Sequence, residues 1–253
     1  MFWSKIWPAG LAMARLLFAE PSLCSGQRVL ELGSGGLGRP VDLARGAAAP
    51  GPPPQAHGPP PSVWPSSLRP PTVHVSIYAG LGIGALAAAA AGASIVLATD
   101  LEPTSLAFVQ QSAADNRPDA TQLRTAVWDW TNDAPPAVAS EGPYDLVMAG
   151  DCLYAADHVP RLVHILSSPE LLRPGGLLVA TDSCERAYED SHSQQLRGRL
   201  ARAGFHERRC EEVQLDASNT PIEEGADAAS GGLRVRLIVL AKSRFRPTAT
   251  AGS

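Results

Sequence analysis

Short runs of Val, Ile and Leu, each stopped by a glycine or a carboxylate, alternate along this chain with stretches of helical spacing. That alternation leaves few folds open. Arg28–Leu32 is an apolar run closed by Gly33, and Ser94–Thr99 is another stopped by Asp100. Tyr144–Ala149, Gly176–Thr181 and Leu233–Ala241 repeat the pattern, with a weaker run ahead of Trp128. Between them, Trp7–Ala19 has helical spacing of Leu11, Ala14, Leu17 and Phe18. Gly82–Ala91 is Ala-rich, Thr104–Asn116 is amphipathic, Val159–Leu166 reads as a helix, and Ser191–Ala203 closes at Gly204. Strands that are apolar throughout must be covered on both faces, and strand–helix alternation supplies the cover. The expected fold is α/β, a doubly wound and mostly parallel sheet. With 45% of 253 residues hydrophobic, the chain has enough apolar matter for such a core.

One stretch breaks the pattern. Of 23 prolines, 11 lie between Arg39 and Ala79, including Pro52-Pro53-Pro54 and Pro59-Pro60-Pro61. Proline removes backbone donors, so residues 39–79 read as an extended, disordered insertion. The domain expected around it comprises residues 1–38 and 80–245, with 246–253 a flexible tail. Pro70–Thr99 carries no charge, but Ala and Gly dominate its densest part and gain little from lipid, so no membrane span is expected. The four cysteines, Cys24, Cys152, Cys184 and Cys210, show neither disulfide nor zinc spacing. With no leader-like start, this fits a reducing, intracellular setting; the cytoplasm is the first expectation, with mitochondria and nucleus left open. A net charge of -4 argues against a nucleic-acid partner.

In doubly wound sheets the ligand sits beyond the carboxyl ends of the strands, where strand order reverses. After the first strand comes Glu31-Leu32-Gly33-Ser34-Gly35-Gly36-Leu37-Gly38. Glycines there let the backbone approach a ligand, and a following helix offers free N–H groups; a plain tight turn is the alternative. Asp100 after the second strand can accept hydrogen bonds from ribose hydroxyls or cap a helix. Trp128-Asp129-Trp130 offers an indole to stack on a base and a carboxylate to accept from an amine, or two core tryptophans. The fourth strand ends in Gly150-Asp151-Cys152-Leu153-Tyr154, where a turn would put Asp151 and Tyr154 on one side of the cleft.

Glu31-Leu32-Gly33-Ser34-Gly35, Thr99-Asp100, Asp129-Trp130 and Asp151-Cys152-Leu153-Tyr154 together resemble the seven-strand S-adenosylmethionine-dependent methyltransferases. More narrowly they resemble the protein-lysine methyltransferases known as methyltransferase family 16. Ile6-Trp7-Pro8 before the first strand and Gly175-Gly176 before the fifth fit as well. The resemblance implies a seven-stranded Rossmann-like sheet, S-adenosyl-L-methionine as cofactor and a protein lysine as substrate. It implies no metal. Gly33, Ser34 and Gly35 would line the methionine part, with Glu31 beside them. Asp100 would hold the ribose, Asp129 and Trp130 would border the adenine, and Trp7 and Gly150 would complete the pocket. Asp151 and Tyr154 would face the methyl-transfer end, Asp151 orienting the substrate amine. A monomer is expected.

The insertion interrupts the glycine loop itself. Gly36-Leu37-Gly38 before it is echoed by Gly80-Leu81-Gly82 after it. Joining Gly36 to Leu81 leaves a continuous loop of family type, so residues 37–80 read either as a retained intron or as a genuine surface loop. Three functions follow: a protein-lysine methyltransferase first, a small-molecule N-methyltransferase second, and a cofactor-compromised relative third. An NAD-dependent oxidoreductase fits least, because neither Glu31 nor the Asp151–Tyr154 pair has a role there.

Overall fold

A computed structural model describes residues 8–33, 82–116, 123–130, 132–184, 187–215 and 233–244. Trp7, Ser34, Gly35, the 39–79 insertion and the 246–253 tail lie outside the described residues. Seven strands form one sheet: β1 (Arg28–Leu32), β2 (Ile95–Asp100), β3 (Leu123–Val127), β4 (Tyr144–Gly150), β5 (Leu172–Ser183), β6 (Phe205–Leu215) and β7 (Leu233–Lys242). Their order across the sheet is β3-β2-β1-β4-β5-β7-β6. The first five pair in parallel, and β7 runs antiparallel between β5 and β6. The expected doubly wound, mostly parallel sheet is therefore the one observed.

The helices are α1 (Pro8–Ala19), α2 (Ile83–Ala90), α3 (Pro103–Asn116), α4 (Pro136–Ala139), α5 (His158–Ser167) and α6 (Ala187–Arg202). They divide between the two faces. One layer packs Met13, Leu17, Ala85, Ala88 and Val109 against Val29, Val96, Leu146 and Val179. The other packs Val138, Val159, Leu162, Ile165, Leu196 and Leu200 against Leu30, Leu32, Val147, Leu178 and Ile238. Alternate residues of each central strand thus feed opposite cores, which is why those strands are apolar throughout. Each fully buried Leu or Ile side chain contributes roughly 1.5–3 kcal/mol.

α2 is short and built mostly of alanine and glycine because it lies close to its neighbours. Its entry residue Gly82 has φ +70°, and a Cβ there would come within 2.7 Å of Val109 Cγ2. Both the conformation and the space demand glycine. α5 ends in a different device: Lys242 Nζ lies 2.7–3.0 Å from the carbonyls of Leu166, Ser167, Ser168 and Leu172, which share its three N–H donors. An ammonium group at a helix C-terminus satisfies orphan carbonyls and opposes the negative end of the dipole.

Two expectations need correction. No strand is expected between Gly204 and Leu233, yet β6 runs from Phe205 to Leu215. It is an edge strand whose middle, His206-Glu207-Arg208-Arg209-Cys210-Glu211-Glu212, is charged and largely solvated, so the apolar signal is missing. β5 begins four residues before Gly176, at Leu172, with a register shift opposite Tyr144/Leu146 absorbing Arg173-Pro174-Gly175. Among the described residues no helix is long and apolar enough to cross a membrane.

Candidate active site

The strand order reverses beside β1: β2 lies on one side of it and β4 on the other. β1 leads from there to α2 on one face, while the chain after β4 passes to α5 on the other face. Between two such diverging connections lies the place where sheets of this kind form their ligand cleft. Gly33 sits at its mouth with φ +63°, and a Cβ there would stand 3.7 Å from both Cys152 Sγ and Trp130 Nε1. The ends of β1, β3 and β4 therefore converge on one glycine. The left-handed backbone explains glycine at this position and keeps side-chain bulk out of the cleft.

Glu31 points sideways beneath this turn. Its Oε2 accepts from the backbone N–H of Ala85 at 3.2 Å, in the first turn of α2. A Cβ on Gly84 would collide with Glu31 Oε1. The carboxylate thus joins the end of β1 to the start of α2 and faces the positive end of the helix dipole. Burial nonetheless pushes its pKa up to about 7, against the lowering effect of the Ala85 hydrogen bond and with a further rise from Asp100.

Asp100 is buried at the end of β2, and its Oδ1 accepts from Glu102 N at 2.7 Å. That bond turns the chain into α3 and holds the carboxylate at the strand end. Its main-chain oxygen accepts from Trp128 N at 2.8 Å, setting the β3 loop beside it. In that loop Trp128 is core, donating from Nε1 to Asn132 O at 3.2 Å. Asp129 accepts from Asn132 Nδ2 at 2.9 Å, and Trp130 lies at the cleft with its carbonyl accepting from Arg161 Nε at 3.3 Å.

Gly150 ends β4 next to β1, with Ala149 opposite Leu32. Asp151 follows with φ +55°, the only non-glycine residue among those described with a positive φ. Such a conformation costs about 1–2 kcal/mol outside glycine and needs surrounding contacts to hold it. These contacts are present. Asp151 N donates to Thr181 O at 2.6 Å, and Leu153 N donates to Asp182 Oδ1 at 3.2 Å. The Cys152 carbonyl accepts from His158 Nδ1 at 2.9 Å and the Leu153 carbonyl from His192 Nδ1 at 2.7 Å. Since a carbonyl can only accept, both imidazoles carry their proton on Nδ1. Thr181 in turn donates to Ala9 O at 2.9 Å, fastening the start of α1 to the same end of the sheet.

Carboxylates surround the Cys152 thiol. Burial raises its pKa well above the usual thiol value, and Asp182, Asp151, Glu31 and Asp100 add to the rise in that order. Tyr154 is pushed up to about 12, by burial first and then by Cys152, Asp100, Asp151 and Asp157. The cleft is accordingly negative and partly dry. It suits a ligand with a positive centre and hydroxyl donors, and it disfavours a phosphate.

Eight of the eleven expected site residues are described: Glu31, Gly33, Asp100, Asp129, Trp130, Gly150, Asp151 and Tyr154. All lie at the carboxyl ends of β1–β4 or in the turns that follow. Ser34, Gly35 and Trp7 fall outside the described residues. Asp182, His158 and His192 were not anticipated. Asp182 had a signal, a carboxylate at the end of an apolar run, obscured by ending the strand at Thr181. The histidines had none: each is a single polar residue on a helix whose neighbours decide its role.

The strand order, the reversal point and the glycine-to-carboxylate cleft can be compared with known proteins. A family model described as lysine methyltransferase matches residues 69–193. That span carries Asp100, Trp130 and the Asp151–Tyr154 turn. The match covers just under half of the chain, and with the sheet order it supports a seven-strand S-adenosylmethionine-dependent methyltransferase. None of the curated proteins matches the sequence. Among solved structures, it is similar to magnesium protoporphyrin IX methyltransferase from Synechocystis PCC 6803 with bound S-adenosylmethionine. The identity is 16%, with 92% of this chain and 77% of the other covered and a TM-score of 0.53. A methyltransferase from Pyrococcus furiosus is 12% identical, covering 91% and 82%, with a TM-score of 0.50. The [4+2]-cyclase SpnF is 14% identical, covering 92% and 81%, with a TM-score of 0.51. Likeness at this level is likeness of fold, and the cyclase among these neighbours shows that the fold alone does not fix the reaction. The matched family and the methyltransferase neighbours support S-adenosylmethionine as cofactor, and Gly33 with the carboxylates at the strand ends fits a sulfonium with a ribose attached.

Proposed function

We propose that the chain is a protein-lysine N-methyltransferase. The observation that carries this reading is the left-handed Asp151 turn, which lies within the span matched by the lysine methyltransferase family and whose Cys152 thiol stands beside Gly33. When bound, S-adenosylmethionine supplies a methyl group on positively charged sulfur; transfer forms an N–C bond and breaks the S–C bond.

The residues of the chain do the rest. Gly33 leaves room for the cofactor, and Glu31 fixes the β1–α2 junction beneath it; by the family resemblance Ser34 and Gly35 would line its methionine part. Asp100 would accept from the ribose hydroxyls. Trp130 and Asp129 would border the adenine, and by the family resemblance Gly150 and Trp7 would complete the pocket. Asp151 binds the incoming amine and aims it, and the Tyr154 hydroxyl hydrogen-bonds beside it. A lysine amine titrates near ~10.4 and must lose a proton before it can attack. A carboxylate alone favours the ammonium form, so Asp151 is an orienting group, and desolvation together with the sulfonium charge favours the neutral amine. The proton leaves to water.

The test has two stages. S-adenosylhomocysteine titrated into the full chain should bind, and Asp100→Ala should weaken it by roughly 10–100-fold, the cost of a hydrogen bond to a charged group. Methyl-labelled S-adenosylmethionine with a mixture of lysine-rich proteins should then label lysine side chains. Asp151→Ala should abolish the labelling while leaving S-adenosylhomocysteine bound. Labelling of small amines alone would favour the small-molecule N-methyltransferase reading. Absence of S-adenosylhomocysteine binding by a folded chain would sink the site assignment.

A further inference from the structure

The buried imidazole of His158 stands between two aromatic residues that belong to different halves of the cleft. Its centroid lies 4.7 Å from the Trp130 ring at 69° and 4.3 Å from the Tyr154 ring at 83°. Both are edge-to-face arrangements of the kind that fixes ring orientation as well as separation. Trp130 comes from the loop after β3, on the adenine side. Tyr154 comes from the turn after β4, on the amine side. The same imidazole donates from Nδ1 to the Cys152 carbonyl at 2.9 Å, inside the strained turn that Asp151 opens. It is the first residue of α5, so a helix anchored in the core by Val159, Leu162, Ile165 and Leu166 carries it.

We propose that His158 is a positioning residue that couples the cofactor side of the cleft to the substrate side, its ring seated between Trp130 and Tyr154 and its Nδ1–H holding the Asp151–Tyr154 turn. The inference rests on the methyltransferase reading of the site and adds a residue to it. Through one rigid body, a change in Trp130 on cofactor binding reaches Tyr154. A side chain that only filled space would not need both the ring edges and the donor. The edge contacts orient two aromatic planes, while the hydrogen bond stabilises a left-handed residue three positions before Tyr154.

Two substitutions separate these parts. His158→Phe keeps an aromatic ring between Trp130 and Tyr154 and removes the donor. His158→Asn removes the ring and places an amide N–H close to where Nδ1 stands. Each variant of the full chain, with ¹³C-labelled tyrosine, is titrated with S-adenosylhomocysteine by calorimetry and by NMR. Tyr154→Phe assigns the Tyr154 signal, and thermal unfolding is recorded for every variant. In the unsubstituted chain the Tyr154 signal should move on binding. In His158→Asn the affinity should stay within about threefold, since no polar contact to the ligand is lost. The Tyr154 response should nonetheless fall to less than half. His158→Phe should keep the response. An undiminished response in His158→Asn, or a Tyr154 signal that ignores bound S-adenosylhomocysteine in the unsubstituted chain, overturns the coupling and leaves the methyltransferase reading intact. No binding to the unsubstituted chain defeats both. Should His158→Asn not fold, His158→Gln carries the same comparison.

Discussion

The two ends of the sheet handle polar groups in opposite ways. At the amino end, Arg28 and Arg124 pair with Glu141, and Arg173 pairs with Asp145, all partly exposed. These pairs are side chains answering side chains near water, although Asp145 also accepts from Arg28 N and Lys242 serves main-chain carbonyls there. At the carboxyl end, Glu31, Asp100, Asp182, His158 and His192 are buried, and each holds a main-chain group of a turn. Surface pairs are worth about 0–1 kcal/mol and can be exchanged freely. Buried polar groups that fix backbone cost much more to disturb, and a strained residue such as Asp151 persists only where they surround it. The amino end closes a structure, whereas the carboxyl end prepares a site.

The largest effect that would break this contrast is at Gly33. Gly33→Val forces a branched side chain onto a left-handed backbone, against Cys152 and Trp130. S-adenosylhomocysteine binding should become undetectable by calorimetry; retained binding would show that the cradle lies elsewhere.

Next comes the acid at the centre of the sheet. Glu31 has a folded pKa of about 7 against an ordinary value of 4.5. Between those values the native state binds more protons than the unfolded state, so stability falls as pH rises from about 4.5 to about 7 and then levels. The span corresponds to roughly 3 kcal/mol at most. Urea midpoints measured from pH 5 to 8 should show that decline, and Glu31→Gln should flatten it while keeping an acceptor for Ala85 N. An unchanged slope would mean that the carboxylate stays charged throughout.

Shortening the interrupted loop should act in the favourable direction. Joining Gly36 to Leu81 cuts the connection between Gly33 and Gly82 from 48 residues to 4. Loop-closure entropy then favours the fold by about 2 kcal/mol, at ~0.6 kcal/mol per halving. Because Glu31 already touches the first turn of α2, the shortened chain should unfold at a higher temperature and bind S-adenosylhomocysteine at least as tightly. Weaker binding would show that the insertion contributes to the cleft.

Asp151→Gly sharpens the comparison within one residue. Relief of the left-handed strain should raise stability by about 1 kcal/mol, seen in urea, while methyl transfer is lost. Stability and activity moving together would refute the orienting role. At the amino end, Arg124→Ala should change stability by less than about 1 kcal/mol and leave ligand affinity unaltered.

Much of this was legible in the sequence. Runs such as Val29-Leu30 and Val147-Met148 announce strands buried on both faces, because a side-chain period of two exposes no face to water. The residues ending those runs, Gly33, Asp100 and Asp151, point to the proposed site, because a parallel sheet places its strand ends together. β6 stayed hidden because an edge strand can form from charged residues once β7 offers its hydrogen bonds. The placement of β7 between β5 and β6 is likewise a matter of pairing that no local pattern encodes.

The sequence by itself determined the alternation, the parallel core and the identity of the groups at the strand ends, since these depend on local periodicity and on residue chemistry. Only the tertiary structure decided what those groups do to one another. It buried Glu31 beneath the Ala85 N–H, drew Asp182 and His192 onto the peptide groups of a turn some thirty to forty residues away, and set His158 between Trp130 and Tyr154. Hydrogen bonds and ring contacts act over a few ångströms of space, and distance along the chain carries no record of which residues will meet.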